Sequence, residues 1–257
     1  MAMWSALSEL VTSKPAANGL AIIIANGYSC RADHDTLTGT SQDLIAARDA
    51  FEELKFATLP ILNASSKEII EVVQAASSYT YPECYKTLAF VFSGHGDAKC
   101  IYAHDSKVPV QKHVFDPLMP KTSTHLANIP KLFFFDACRG DAVDQGVAVP
   151  ITLKPSGPVA RGGRTPSVGN YLLAYSTMPT MKAFEQPMTG GYWMQQLAKE
   201  LRSDNNIDRS LTDILYIVND RVLTEMERDK CENIQQPVLE STLRQNIHLL
   251  KEARQAG

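Results

Sequence analysis

The sequence predicts an α/β fold, with a mainly parallel central sheet and helices on both of its faces. Two observations carry that reading. Short apolar runs recur along the chain and are apolar at successive positions, as in strands covered on both sides. Between them lie stretches of helical periodicity, so strand and helix alternate. At 257 residues with 44% hydrophobic content, the chain is long enough for one domain with a sizeable core and short for two. Residues 1–257 are therefore expected to form a single domain.

The first strand is LAIIIAN, Leu20 to Asn26. A helix follows in SQDLIAARDAFEELKF, where Leu44, Ala47, Phe51 and Leu54 fall on one stripe. Ser65 and Glu68 form a capping box ahead of IIEVVQAA, which marks the start of a second helix. Strands are expected at TLAFVFS (Thr87 to Ser93), KLFFFDA (Lys131 to Ala137) and YLLAYS (Tyr171 to Ser176). Two more helices are expected in YWMQQLAKELRS and SLTDILYIVNDRVLTEME. One stretch breaks the alternation: residues 141–168 are rich in Gly, Pro and Ser and longer than loops within domains usually are. This segment reads as a flexible, protease-accessible linker between a larger part, 1–140, and a smaller part, 169–257.

The formal charge of -3 offers no basic field for nucleic acid, and no stretch of about 18 apolar residues could span a membrane. The partners expected are proteins or peptides. Five cysteines, Cys30, Cys84, Cys100, Cys138 and Cys231, are odd in number and irregularly spaced, with no CxxC pair. Neither a disulfide framework nor a structural zinc site is expected, and the chain reads as cytoplasmic with reduced thiols. No metal or cofactor is called for. Calcium stays open, since Asp33 and Asp35 lie close together but match no EF-hand loop.

Two strands end in motifs with chemical content: VFSGHG carries His95 between glycines, and FFFDACRG carries Cys138 two residues after an acid. In a parallel α/β sheet the carboxyl ends of strands gather on the edge where ligands bind, so both residues should reach it. Imidazole beside a thiol can take its proton, stabilise the thiolate and later protonate a leaving amine. The backbone N–H groups of Gly96 and Cys138 could receive a developing oxyanion. Taken singly, a Cys at a strand end can be inert packing and Gly-His-Gly only a tight turn. Together they make a candidate catalytic pair.

These motifs resemble the caspase family. Its signature is Gln-Ala-Cys-x-Gly with a His about 50 residues upstream; here the sequence is DACRG, with His95 43 residues before Cys138. Similarity continues in GLAIIIAN, TGTSQDLIAARDAFEEL, YSTMP and QQPVLESTLRQNIHLL. The resemblance implies a caspase-like fold and a cysteine endopeptidase. It also implies cleavage within the linker to give two subunits, and pairing with a second copy or another caspase through the last strand, Gln235 to Leu250. Arg161, Arg164, Asp141 and Asp144 are the candidate processing positions.

Caspases hold a substrate Asp with two arginines and a glutamine. The matching positions here are Leu37, Asp136 and Glu185, though Arg31 lies close to the first. The P1 pocket has exchanged positive charge for negative. The same pattern resembles paracaspases and metacaspases, relatives that cut after basic residues. Asp136, the Ala183-Phe184-Glu185 stretch and Asp43 match their acidic pocket, although an acid at Asp43 would also serve the helix N-terminus. The resemblance places Phe184 against the residue before P1, with Lys182 making that neighbouring pocket less apolar. The expectation is a preference for Arg or Lys at P1. The alternatives are an Asp-specific caspase and a catalytically weak decoy that regulates a true caspase.

Overall fold

The computed structural model describes residues 2–13, 18–28, 35–145 and 168–249. In chain order the elements are α1 (Ala2–Ser13), β1 (Gly19–Ala25), α2 (Thr40–Glu53), β2 (Phe56–Leu62), α3 (Ser66–Ser78), β3 (Thr87–Ser93), β4 (Cys100–Tyr102), β5 (Lys107–Pro109), a three-residue α4 (Asp116–Leu118) and β6 (Lys131–Asp136). After residues 146–167 come β7 (Tyr171–Tyr175), β8 (Glu185–Gln186), β9 (Gly190–Gly191), α5 (Tyr192–Arg202), α6 (Leu211–Arg228) and β10 (Val238–Ser241). Six strands form the main sheet in the order β10-β7-β6-β3-β1-β2. All neighbouring pairs are parallel except β10 with β7.

The doubly apolar strands divide by parity, as a two-residue side-chain period demands. Leu20, Ile22, Ile24, Phe133 and Phe135 face one way and pack with Leu7 and Val11 of α1 and Ile69, Val72 and Val73 of α3. Ala21, Ile23, Leu132 and Phe134 face the other way and pack with Phe51 of α2, Trp193 and Leu197 of α5, and Leu215, Val218 and Val222 of α6. Every residue of β1, β3 and β6 is buried. Burying side chains of this size contributes about 1.5–3 kcal/mol each, so the central strands hold the two helical layers together.

The capping box holds as read: Ser65 Oγ accepts from the Glu68 N–H, and Glu68 returns a bond to the Ser65 N–H. Several boundaries differ from the sequence reading. α2, the first helix of the sequence reading, stops at Glu53, because Lys55 turns left-handed (φ 62°) and β2 begins at Phe56. The last strand is four residues long rather than running to Leu250. β7 starts at Tyr171, whose carbonyl takes the Thr242 N–H at 2.9 Å, and among the described residues no strand lies beyond it to pair with. It crosses instead to α6, where Ile247 accepts from the Leu211 N–H at 2.7 Å.

The segment expected to be linker is also fixed at its beginning. Ala142 N–H donates to Thr180 O (3.1 Å), Lys182 N–H to Ala142 O (2.8 Å) and Ile234 N–H to Asp144 O (2.9 Å). Among the described residues no helix is long and apolar enough to cross a membrane.

Candidate active site

Sheet register builds the site. Ala25, Ser93 and Asp136 lie side by side, one at the carboxyl end of each of β1, β3 and β6. His95 and Cys138 each stand two residues beyond that row, and Gly94 N–H donates to Asp136 O at 3.0 Å to tie the two strand ends together. A cavity of about 560 Å³ opens at this edge, and both residues line it.

The His95 ring is held by the loop after β1. Its Nε2 lies 2.7 Å from the Asp35 carbonyl oxygen. A carbonyl only accepts, so Nε2 is the donor in this contact. The Tyr28 ring packs on the imidazole with centroids 4.7 Å apart, and the Tyr28 hydroxyl accepts the His95 backbone N–H at 3.1 Å. Cys138 Sγ rests against the Ala183 backbone, 3.4 Å from its nitrogen and 3.6 Å from its oxygen. Burial pushes the Cys138 thiol pKa up, and the Ala183 N–H pulls it partly back. Gly96 packs on the Cys138 backbone: a Cβ there would stand 3.1 Å from Cys138 O.

The three candidate acids meet in the same cavity. Asp136 is buried and accepts the Met194 N–H at 3.0 Å. Asp43 turns away from its own helix. It accepts from the Gly191 N–H at 3.0 Å, Ser93 Oγ at 2.7 Å and Gln195 Nε2 at 2.7 Å. Glu185 is partly buried and accepts the Thr38 N–H at 3.1 Å. Burial raises the pKa of all three, and the Asp136 charge raises Asp43 further, although the bonds they accept pull the other way. The two aspartates converge on a Gly-Gly pair. A Cβ on Gly190 would lie 2.1 Å from Asp43 Oδ1, and one on Gly191 would lie 2.1 Å from Asp136 Oδ2.

Ala183, Phe184, Leu37, Lys182 and Asp141 also line the cavity, and Phe184 N–H donates to Gln235 Oε1 at 2.8 Å. Asp144 is exposed, with its carbonyl engaged by Ile234. Arg161, Arg164, Arg31 and Asp33 lie outside the described residues. Among those described, no group of three or more His, Cys, Asp or Glu side chains could hold a metal ion. Sequence reasoning missed Ser93, Gln195, Tyr28 and the Asp35 carbonyl, whose roles depend on contacts between segments distant in the chain. Gly190-Gly191, just ahead of the α5 pattern, carried a signal that could have been read: adjacent glycines mark close backbone approach.

A thiol and an imidazole thus line one cavity at the carboxyl edge of a mainly parallel sheet in an α/β protein. The chain belongs to the caspase-domain family of cysteine-type endopeptidases, whose family model, described as the caspase domain, matches residues 18–248. It is similar to caspase-1 of Drosophila melanogaster, 28% identical over 212 residues, covering 81% of this chain and 64% of that protein. The chain thus spans a little under two thirds of that relative's length. It is also 28% identical over 224 residues to a Caenorhabditis elegans protein, caspase B, whose name marks it as a candidate inactive caspase, with 82% of this chain and 81% of that one covered. In fold it matches the crystal structure of caspase-1 from Spodoptera frugiperda with a TM-score of 0.79, at 23% identity over 94% of this chain and 93% of that one.

Proposed function

We propose that this protein is a cysteine endopeptidase that cleaves protein substrates after Arg or Lys, with Cys138 as nucleophile and His95 as acid and base. One observation carries the specificity: Asp43, Asp136 and Glu185 share the cavity with the thiol, and Lys182 is the sole lysine or arginine on its described wall. A guanidinium or ammonium entering there meets carboxylates and can form charge-assisted hydrogen bonds. A substrate Asp would meet three acidic side chains against the one lysine, Lys182, on that wall. Leaving such a charge unpaired costs on the order of 2–5 kcal/mol, roughly 30-fold to several thousand-fold in rate.

In the reaction, His95 takes the Cys138 proton and the thiolate attacks the scissile carbonyl carbon. The tetrahedral oxyanion receives N–H groups from Gly96 and Cys138. As the C–N bond breaks, the His95 imidazolium protonates the leaving amine, giving a thioester and the free C-terminal fragment. Water, deprotonated by His95, then hydrolyses the thioester and restores the thiol.

Cleavage of a positional-scanning peptide library by wild type and Cys138→Ala tests this reading. Arg and Lys at P1 should exceed Asp at least 30-fold, in line with the penalty above, and Cys138→Ala should abolish turnover. Preferential cleavage after Asp would sink the specificity and favour an Asp-specific caspase. The decoy reading has its own support in the raised thiol pKa and in the resemblance to caspase B. Protein with intact thiols that labels with neither Arg- nor Asp-directed active-site probes would establish it. We further propose that β10, at the sheet edge, pairs with a second caspase domain, and that processing falls at Arg161 or Arg164 rather than at Asp141 or Asp144. The backbone around those aspartates is already engaged in bridges, whereas a protease must bind its target extended and unpaired.

A further inference from the structure

Tyr28 is fully buried. It stands three residues past the end of β1 and is held in a left-handed conformation (φ 59°), uncommon for a bulky side chain. Its contacts reach both His95 and Tyr102. The hydroxyl donates to the Tyr102 carbonyl and accepts the His95 backbone N–H at 3.1 Å, while the ring lies against the imidazole at 4.7 Å and a 34° tilt. Tyr102 in turn donates its own N–H to His95 O at 3.0 Å, so the hydroxyl closes a ring of bonds around the His95 backbone. The loop that carries Tyr28 also supplies the Asp35 carbonyl on Nε2. The backbone N–H and ring face of His95 are thereby held by Tyr28, and its ring nitrogen by Asp35.

We infer that Tyr28 is a positioning residue for His95, setting the orientation of the imidazole toward Cys138. This rests on the reading of Cys138 and His95 as the catalytic pair, and not on the identity of the P1 residue. General acid–base catalysis depends on placing the proton carrier within hydrogen-bond reach, and a displacement of about 1 Å can cost about 100-fold in rate. The aromatic ring restricts tilt of the imidazole; the hydroxyl fixes the height of the main chain that bears it. A residue serving only the core would need the ring and not the hydroxyl.

The test compares Tyr28→Phe, which keeps the ring, with Tyr28→Met, which keeps apolar volume but loses both features. Thermal melts check that each variant is folded. Tyr28→Phe should lower kcat about 10-fold with KM within about twofold, and Tyr28→Met should lower it further, as loss of positioning predicts. A second readout needs no substrate: the rate of Cys138 alkylation by iodoacetamide against pH. The midpoint should move to higher pH in Tyr28→Phe, in the same direction as in His95→Ala, because a misplaced imidazolium stabilises the thiolate less.

Wild-type kcat and a wild-type alkylation midpoint in Tyr28→Phe, with the midpoint shifted in His95→Ala, would overturn the role of Tyr28 alone. An unshifted His95→Ala would overturn the Cys–His pairing and this inference with it. If Tyr28→Phe does not fold, the midpoint in Tyr28→Met decides, and an unshifted value rejects the proposal.

Discussion

Asp43 and Asp136 approach Gly191 from two directions, and each is satisfied by donors fixed in the fold. Both are nevertheless raised from the ordinary carboxyl value of 3.8, Asp43 to about 8 and Asp136 to about 6, with burial as the largest cause. A raised carboxyl takes up a proton on folding, so this pair's contribution to stability falls as pH rises from about 4 through the raised values. Binding behaves in the opposite sense. A P1 guanidinium stays charged throughout, while the pocket gains negative charge as pH climbs between about 6 and 8. The ratio of kcat/KM for P1 Arg over neutral P1 citrulline is therefore expected to rise severalfold across that range, and Asp136→Asn should flatten the rise. Because the ratio cancels titration of the nucleophile, a pH-independent value in wild type would contradict an acidic P1 pocket. Asp136 and Glu185 were legible from their motifs alone. The position of Asp43 was not, since an acid in the first turn of a helix is ordinary, and only its contacts with Gly191, Ser93 and Gln195 show that it turns away from its own helix.

At the scale of elements, the β8–β9 hairpin carries much of the site. Glu185 leads into it, Gly190 and Gly191 close it, and α5 begins at once with Tyr192, whose N–H bonds Phe184 O. Gly191→Ala would place a methyl carbon 2.1 Å from Asp136 Oδ2, at the end of a fully buried central strand. We expect a loss of about 1–3 kcal/mol in denaturant unfolding, as for other overpacked sites, together with a raised KM for P1 Arg substrates. Unchanged stability and KM would show that the hairpin adapts. The capping box and the four apolar strands were readable because each is a local pattern. β2 was not, since Pro60 interrupts it. Proline is tolerated there because β2 is the outermost strand and bonds only to β1. β10 was read too long because its length depends on where β7 begins.

For the whole molecule, the larger and smaller parts share one sheet. β6 and β7 pair from Lys131 with Tyr171 to Phe135 with Tyr175, and Phe51, Phe134 and Trp193 sit in one cluster that draws on both parts. A single cut within residues 146–167 is therefore expected to leave both fragments in one particle. Native mass spectrometry or size exclusion after limited proteolysis would show this, and separated fragments would refute it. The sequence by itself determined the fold class, the family and the two residues proposed for catalysis, because periodicity and short motifs are written in consecutive positions. Tertiary structure decided what those positions face. It turned Asp43 out of its helix toward Gly191, set the Cys138 thiol on Ala183 and laid Tyr28 across His95. Each of these contacts joins segments far apart in the chain, so packing fixes them and no local pattern records them.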